Sequence, residues 1–133
     1  MGEQARGFML RKLGRGKEPL SDSALEIVAG RFKALGDPTR LKLVQVLFDG
    51  EQSVLQLCAT TRMSQANASK HLSILSEQGI LARRKEGLYV YYSIADQTVH
   101  ELCALVCESL RERFSQVQQE FGTSSPQRVR KPR

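Results

Sequence analysis

Met63-Ser64-Gln65-Ala66-Asn67-Ala68-Ser69-Lys70-His71-Leu72 is followed, after a short link, by Leu81-Ala82-Arg83-Arg84-Lys85-Glu86-Gly87-Leu88-Tyr89-Val90-Tyr91-Tyr92-Ser93-Ile94. Ser64 is a good N-cap, so it predicts a helix running to about Gln78, with Gly79 as its stop signal. The early exposed positions are Gln65, Asn67, Ser69 and Lys70, and Ala66 and Ala68 are small enough for close approach to a groove. Amides can read base edges, and hydroxyls and ammonium groups can reach phosphates. Two β-rich runs around Glu86-Gly87 predict a hairpin with a tight turn, which carries Arg83, Arg84 and Lys85 as a basic wing. A capped polar helix alone reads as an ordinary surface helix. A basic wing alone reads as a solvated charge run. Together they predict a winged helix-turn-helix that binds double-stranded DNA.

Upstream of this segment the period is helical. Ser21 or Asp22 caps a first helix with Leu25, Val28, Phe32 and Leu35 on one face and Gly36 at its end. Asp37 caps a second helix, and Pro38 takes its first position, where a missing N–H costs nothing. Leu41, Leu43, Val44, Val46, Leu47 and Phe48 make that helix mostly buried, and Asp49-Gly50 ends it. Ser53 opens a short third helix with Leu55, Leu57 and Cys58 directed inward, and Thr60 to Met63 form the tight connection. Residues near Ser53 can pair with the hairpin as a third strand. Asp96 starts a long last helix to about Phe121. The expected fold is mostly α with a small β-hairpin wing, in the order α1-α2-α3-α4-β-β-α5.

With these motifs in place, the chain resembles the ArsR/SmtB family of winged-helix transcriptional repressors over residues ~22–121. The resemblance is carried by Leu35-Gly36-Asp37-Pro38-Thr39-Arg40-Leu41, by Met63 to Leu72, by Leu81 to Gly87, and by Val90-Tyr91-Tyr92-Ser93-Ile94. It implies a homodimer formed through the first and last helices. It also implies an imperfect palindromic operator and a repressor released by an inducer. The implied DNA contacts are Ser64, Gln65, Asn67, Ser69, Lys70, His71, Arg83, Arg84 and Lys85. His71 reads equally as a DNA contact or as a half-buried support for its helix. Arg40, in the first turn of a buried helix, is expected to form a salt bridge.

The formal net charge is +6, but its distribution matters more than its size. Residues 1–19 hold five Lys/Arg and two Asp/Glu, and residues 122–133 hold four Lys/Arg and no acid. The stretch 20–121 is left with eleven basic and twelve acidic residues. DNA affinity therefore has to come from local placement. Residues 1–19 read as a flexible basic arm, 20–121 as the DNA-binding and dimerisation domain, and 122–133 as a disordered basic tail. No apolar run approaches membrane-spanning length, and no signal-peptide core is present, so a cytoplasmic protein is expected.

Three cysteines do not suggest a disulfide framework. Family members bind metals at several places. The thiol pair expected before the recognition helix is replaced by Ser53-Val54-Leu55-Gln56, and Cys58 reads as a small hydrophobe. Of the carboxylate–histidine set on the last helix, Asp96 matches, but Thr98 and Ser109 stand where histidines are expected. What remains is Asp96, His100, Cys103 and Cys107 at i, i+4, i+7 and i+11, on one helical face. These residues could hold a soft metal or metalloid ion, completed across the dimer. Alternatively the two thiols act in redox or persulfide sensing. A third reading is simple packing, since Cys103, Cys107, Leu110, Phe114, Val117 and Phe121 follow a coiled-coil-like seam. An enzyme is not expected, because there is no Gly-rich phosphate loop and no nucleophile–base spacing. A winged-helix protein-interaction module is a further alternative, which the basic wing argues against.

Overall fold

The computed structural model describes residues 19–121; residues 1–18 of the expected arm and the tail at 122–133 lie outside the described residues. Five helices and three short strands follow in the order α1 (Asp22–Leu35), α2 (Pro38–Leu47), β1 (Gln52–Ser53), α3 (Val54–Thr61), α4 (Gln65–Glu77), β2 (Leu81–Glu86), β3 (Tyr89–Ile94) and α5 (Thr98–Phe121). The strands form an antiparallel sheet in the order β1-β3-β2.

Four side chains start the first four helices. The Ser21 Oγ accepts from the Ala24 N–H, and the Ser64 Oγ accepts from the Asn67 N–H at 3.1 Å. The Asp37 carboxylate accepts from the N–H groups of Thr39 and Arg40 at 2.8 and 3.1 Å, with Pro38 beside it in the first turn. Ser53 and Gln56 form a reciprocal capping box, each side chain accepting from the other's N–H. Helix α5 begins at Thr98, two residues after the expected start, because the Asp96 carboxylate accepts from the Thr98 N–H.

The core is built where the helix-turn-helix meets the sheet. Leu43, Val44 and Leu47 of α2, Leu57 of α3, Ala68, Leu72 and Leu75 of α4, and Ile80, Leu81, Tyr92 and Val99 are buried together. Two sequence expectations change here. Leu55 is 54% exposed, and Val54 takes the inward position with Leu57 and Thr61. The cause is β1: pairing Gln52 with Tyr92 and Ser53 with Tyr91 sets the rotation at which α3 leaves the sheet. Ala68 is fully buried, so its small side chain serves close packing of α4 on the core and not approach to a groove.

The hairpin turn also moves by one residue. Glu86 pairs with Tyr89, which leaves Gly87-Leu88 as the two-residue loop. Gly87 has φ +61°, and Leu88 has a negative φ. This is the type II′ arrangement, which matches the twist of the flanking strands and demands glycine at its first position.

Asp37 and Asp96 make the fold pH-dependent. The backbone N–H of Arg40 is the main group holding the Asp37 carboxyl below its ordinary range. The Thr98 hydroxyl does the same for Asp96, assisted by Arg31. A carboxyl with a depressed folded-state pKa stabilises the fold above its unfolded pKa, about 3.9 for Asp. That stability is lost as pH falls through the folded value. The thermal midpoint is therefore expected to drop as pH is lowered from about 4. The Asp37→Asn/Asp96→Asn variant should be less stable at neutral pH and flatter over the acid range. Circular-dichroism melts from pH 7 to 2.5 check this, and parallel curves for the two proteins would contradict it.

Candidate nucleic-acid interface

Helix α4 presents Ser64, Gln65, Asn67, Ser69 and Lys70 on its exposed face. The same rotation that buries Ala68, Leu72 and Leu75 leaves these positions outside. Gln65 and Ser69, one turn apart, line an open cleft of about 480 Å³ together with Leu55, Arg83, Leu88 and Tyr89. The start of the recognition helix and the wing thus border one concave surface. Ser64 combines two tasks: its hydroxyl caps α4 while its residue remains exposed.

The wing cations divide by strand alternation. Arg83 lies opposite buried Tyr92 and Lys85 opposite Val90, whereas Arg84 lies opposite Tyr91 on the other face. Arg84 is already engaged there. Its Nε and Nη2 donate to the two oxygens of Glu51 at 2.9 and 2.8 Å, and its Nη1 donates to Glu86. Its guanidinium also sits 4.6 Å from the centre of the Tyr91 ring. The Arg84 bond holds the Glu51 carboxyl below its ordinary range. Arg84, expected at the DNA with Arg83 and Lys85, is thus paired within the chain. Two carboxylates neutralise it, and it ties the wing to the start of β1. Arg83 and Lys85 remain as the exposed cations on the cleft face.

His71 is half-buried at the edge of α4. Its Nδ1 lies 3.1 Å from Nη1 of Arg40. Arginine can only donate, so Nδ1 is the acceptor and the neutral ring carries its proton on Nε2. His71 thus meets Arg40 through Nδ1, and Nε2 keeps a donor of the kind a phosphate contact would use. Arg40 makes no ion pair among the described residues, contrary to expectation. It donates instead to the carbonyls of Ala34 (2.6 Å) and Lys33 (3.4 Å), satisfying the open C-terminal end of α1.

The four candidate ligands, Asp96 just before α5 and His100, Cys103 and Cys107 on it, are not brought together among the described residues of one chain. Asp96 pairs with Arg31 and accepts from Thr98 through its second oxygen. His100 packs edge-on against Phe48, with ring centres 4.5 Å apart. Cys103 is half-buried against the core, and Cys107 is exposed. Burial, and then the neighbouring Cys107, pushes the Cys103 thiol up. Among the described residues no three His, Cys, Asp or Glu side chains come close enough to hold a metal ion. Both thiols open on an apolar groove of about 650 Å³ between α1, α2 and α5, lined also by Phe32, Leu41, Phe48 and Leu110.

The helix-turn-helix and the start of the first wing strand match a family model over residues 37–83, described as bacterial regulatory protein, arsR family. A cadmium resistance transcriptional regulatory protein CadC homolog from Staphylococcus aureus is 42% identical over 92 residues, covering 68% of this chain and 76% of that protein. The chain belongs to the ArsR family. This ArsR-family chain is also similar to the transcriptional repressor SmtB homolog of Synechocystis, 37% identical over 71% of this chain and 72% of that one. Among solved structures, a homodimeric winged helix-turn-helix DNA-binding domain from Mycobacterium bovis superposes with a TM-score of 0.63 at 35% identity, covering 71% of this chain and 91% of that one. The winged helix of this ArsR-family protein is thus a DNA-binding transcription regulator, and its relatives are regulators, not enzymes. None of its described helices is long and apolar enough to cross a membrane.

The sequence missed two charge partners, Glu51 and Arg31. Glu51 sits 33 positions before Arg84, and Arg31 sits 65 before Asp96. Neither pairing leaves a local signal. The alternation that sends Arg84 to the opposite face from Arg83 is visible in the hairpin pattern itself.

Proposed function

We propose that this protein is a homodimeric transcriptional repressor that binds an imperfect palindromic operator. One observation carries the reading: exposed Gln65, Ser69 and Arg83 border a single cleft formed by the capped recognition helix and its wing. A second feature supports dimerisation. Helix α1 exposes Ile27 (72%) and Phe32 (55%), and α5 exposes Val106 (51%) and Phe114 (49%). Apolar side chains at this density on two neighbouring helices are the signature of a partner surface. The homodimeric state of the Mycobacterium bovis domain and the repressor role of the Synechocystis relative point the same way. Selection from a random duplex library should enrich an inverted repeat bound by two copies of the chain. Recovery of no motif, or of a motif bound by a single copy, would overturn the reading.

One reading of the thiols is packing at the dimer seam, since Cys103 and Cys107 line an apolar groove. A second reading is capture of a soft ion by both thiols. It is favoured by their placement four residues apart on the same groove. Operator release by Cd²⁺, Hg²⁺, arsenite and polysulfide, compared between the wild type and Cys103→Ser/Cys107→Ser, separates the two. Seam packing predicts the same response from both proteins. Capture predicts release of about 100-fold in the wild type, a coupling of about 2.7 kcal/mol, and none in the variant.

A further inference from the structure

The end of the recognition helix is held by a residue that does not line the DNA-facing cleft. Arg31, on α1, donates through Nη2 to the carbonyl of Gln78, the C-cap of α4, at 2.8 Å. Through Nη1 it donates to the carboxylate of Asp96, whose other oxygen caps α5. One guanidinium therefore joins α1, the C-terminal end of α4 and the N-terminal end of α5. Two glycines clear the junction. Gly79 has φ +76°, and a Cβ there would lie 3.0 Å from Nη2 of Arg31. A Cβ on Gly30 would meet the Gln78 side-chain amide at 3.2 Å. The Ala95 N–H donates to the Ile80 carbonyl at 2.9 Å and closes the same corner.

The chemistry suits a fixed geometry. A carbonyl at a helix C-terminus carries partial negative charge, and a carboxylate carries a full one. The planar fork of arginine can meet both at once, whereas a lysine ammonium at that reach acts as a point charge. We propose that Arg31 is a positioning residue for operator reading. It sets the tilt of α4 against the layer of α1 and α5, and through that layer the separation of the two recognition helices in the dimer. This inference rests on the homodimeric, palindrome-binding reading above.

The test uses the full chain and the inverted repeat selected by the wild type, together with copies in which one base pair is added or removed between the half-sites. A dimer with fixed recognition helices discriminates against such respacing. The wild type is expected to lose about 10-fold or more on the respaced duplexes, and Arg31→Met about 3-fold or less, a change typical of residues that couple sites without touching the ligand. Arg31→Lys should behave like Arg31→Met. Dimer mass and the salt dependence of binding should be unchanged, since no phosphate contact is removed. If Arg31→Met keeps the full respacing penalty and loses only thermal stability, Arg31 is merely structural and the proposal falls. Full rescue by Arg31→Lys would reduce it to a simple ion pair and also overturn it. Should Arg31→Met fail to fold, Asp96→Asn carries the same expectation with a smaller change of shape. A wild type that selects no inverted repeat defeats the homodimer reading itself, which is a separate outcome from a wild type that selects one and a variant that behaves identically.

Discussion

Arg83→Ala combined with Lys85→Ala is expected to weaken operator binding by about 100-fold near 0.15 M salt, four lost phosphate contacts in a dimer at about 0.7 kcal/mol each. Each phosphate neutralised contributes a slope of about −0.9 to log K against log salt, so the slope should flatten by about 3 to 4. Arg84→Ala should leave the slope nearly where it is. Its guanidinium is held by Glu51 and Glu86 on the opposite face of the strand, so no phosphate contact is removed. Some affinity will still be lost, because the two carboxylates are left uncompensated on a surface near DNA. Fluorescence anisotropy between 50 and 200 mM salt measures both quantities. If Arg84→Ala flattens the slope by about 2 while the Arg83/Lys85 pair leaves it unchanged, the division of the wing into two faces is wrong.

The second large effect concerns how the recognition helix is docked. Leu72 is fully buried among Leu43, Leu47, Leu57 and Leu75. Leu72→Ala removes three buried carbons and leaves a void, which typically costs about 3 kcal/mol. Against a total stability of about 5–15 kcal/mol, that is a large share. For a domain of this size the thermal midpoint should fall by about 15 °C. Ser73, the next residue, is exposed, and Ser73→Ala should stay within about 0.5 kcal/mol of the wild type. Thermal denaturation of the two variants side by side checks the assignment of faces on α4. Equal melting would mean that the helix is rotated from its described setting. Operator binding by Leu72→Ala should also weaken well below its melting temperature, because Gln65, Asn67 and Ser69 depend on the same helix for their placement.

The starts of the elements were legible because capping is local. Ser21, Asp37-Pro38, Ser53 and Ser64 each satisfy N–H groups two or three residues away. The polar face of α4 was legible for the same reason: helical periodicity separates Gln65, Asn67, Ser69 and Lys70 from Leu72 and Leu75. The expectations that changed lie where strands pair. The turn fell on Gly87-Leu88 because Glu86 pairs with Tyr89, and Val54 displaced Leu55 because β1 pairs with β3. The surroundings of the candidate ligands were illegible for the same reason. Helical spacing puts Asp96 and His100 on one face with the two cysteines, but α5 begins only at Thr98, and Arg31 and Phe48, brought in from α1 and the end of α2, engage Asp96 and His100.

Within the chain's own order, then, lie the helix-turn-helix, the hairpin wing, the family and the polar reading face, since all of these follow from contacts between residues a few positions apart. Tertiary structure alone decided what engages Arg84, what holds His71 and Asp96, and which residue anchors the end of the recognition helix. Those depend on pairings such as Glu51 with Arg84 and Arg31 with Asp96. A charged side chain takes the nearest opposite charge or carbonyl that folding delivers, and that partner is set by packing and strand register over tens of residues, not by its neighbours in sequence.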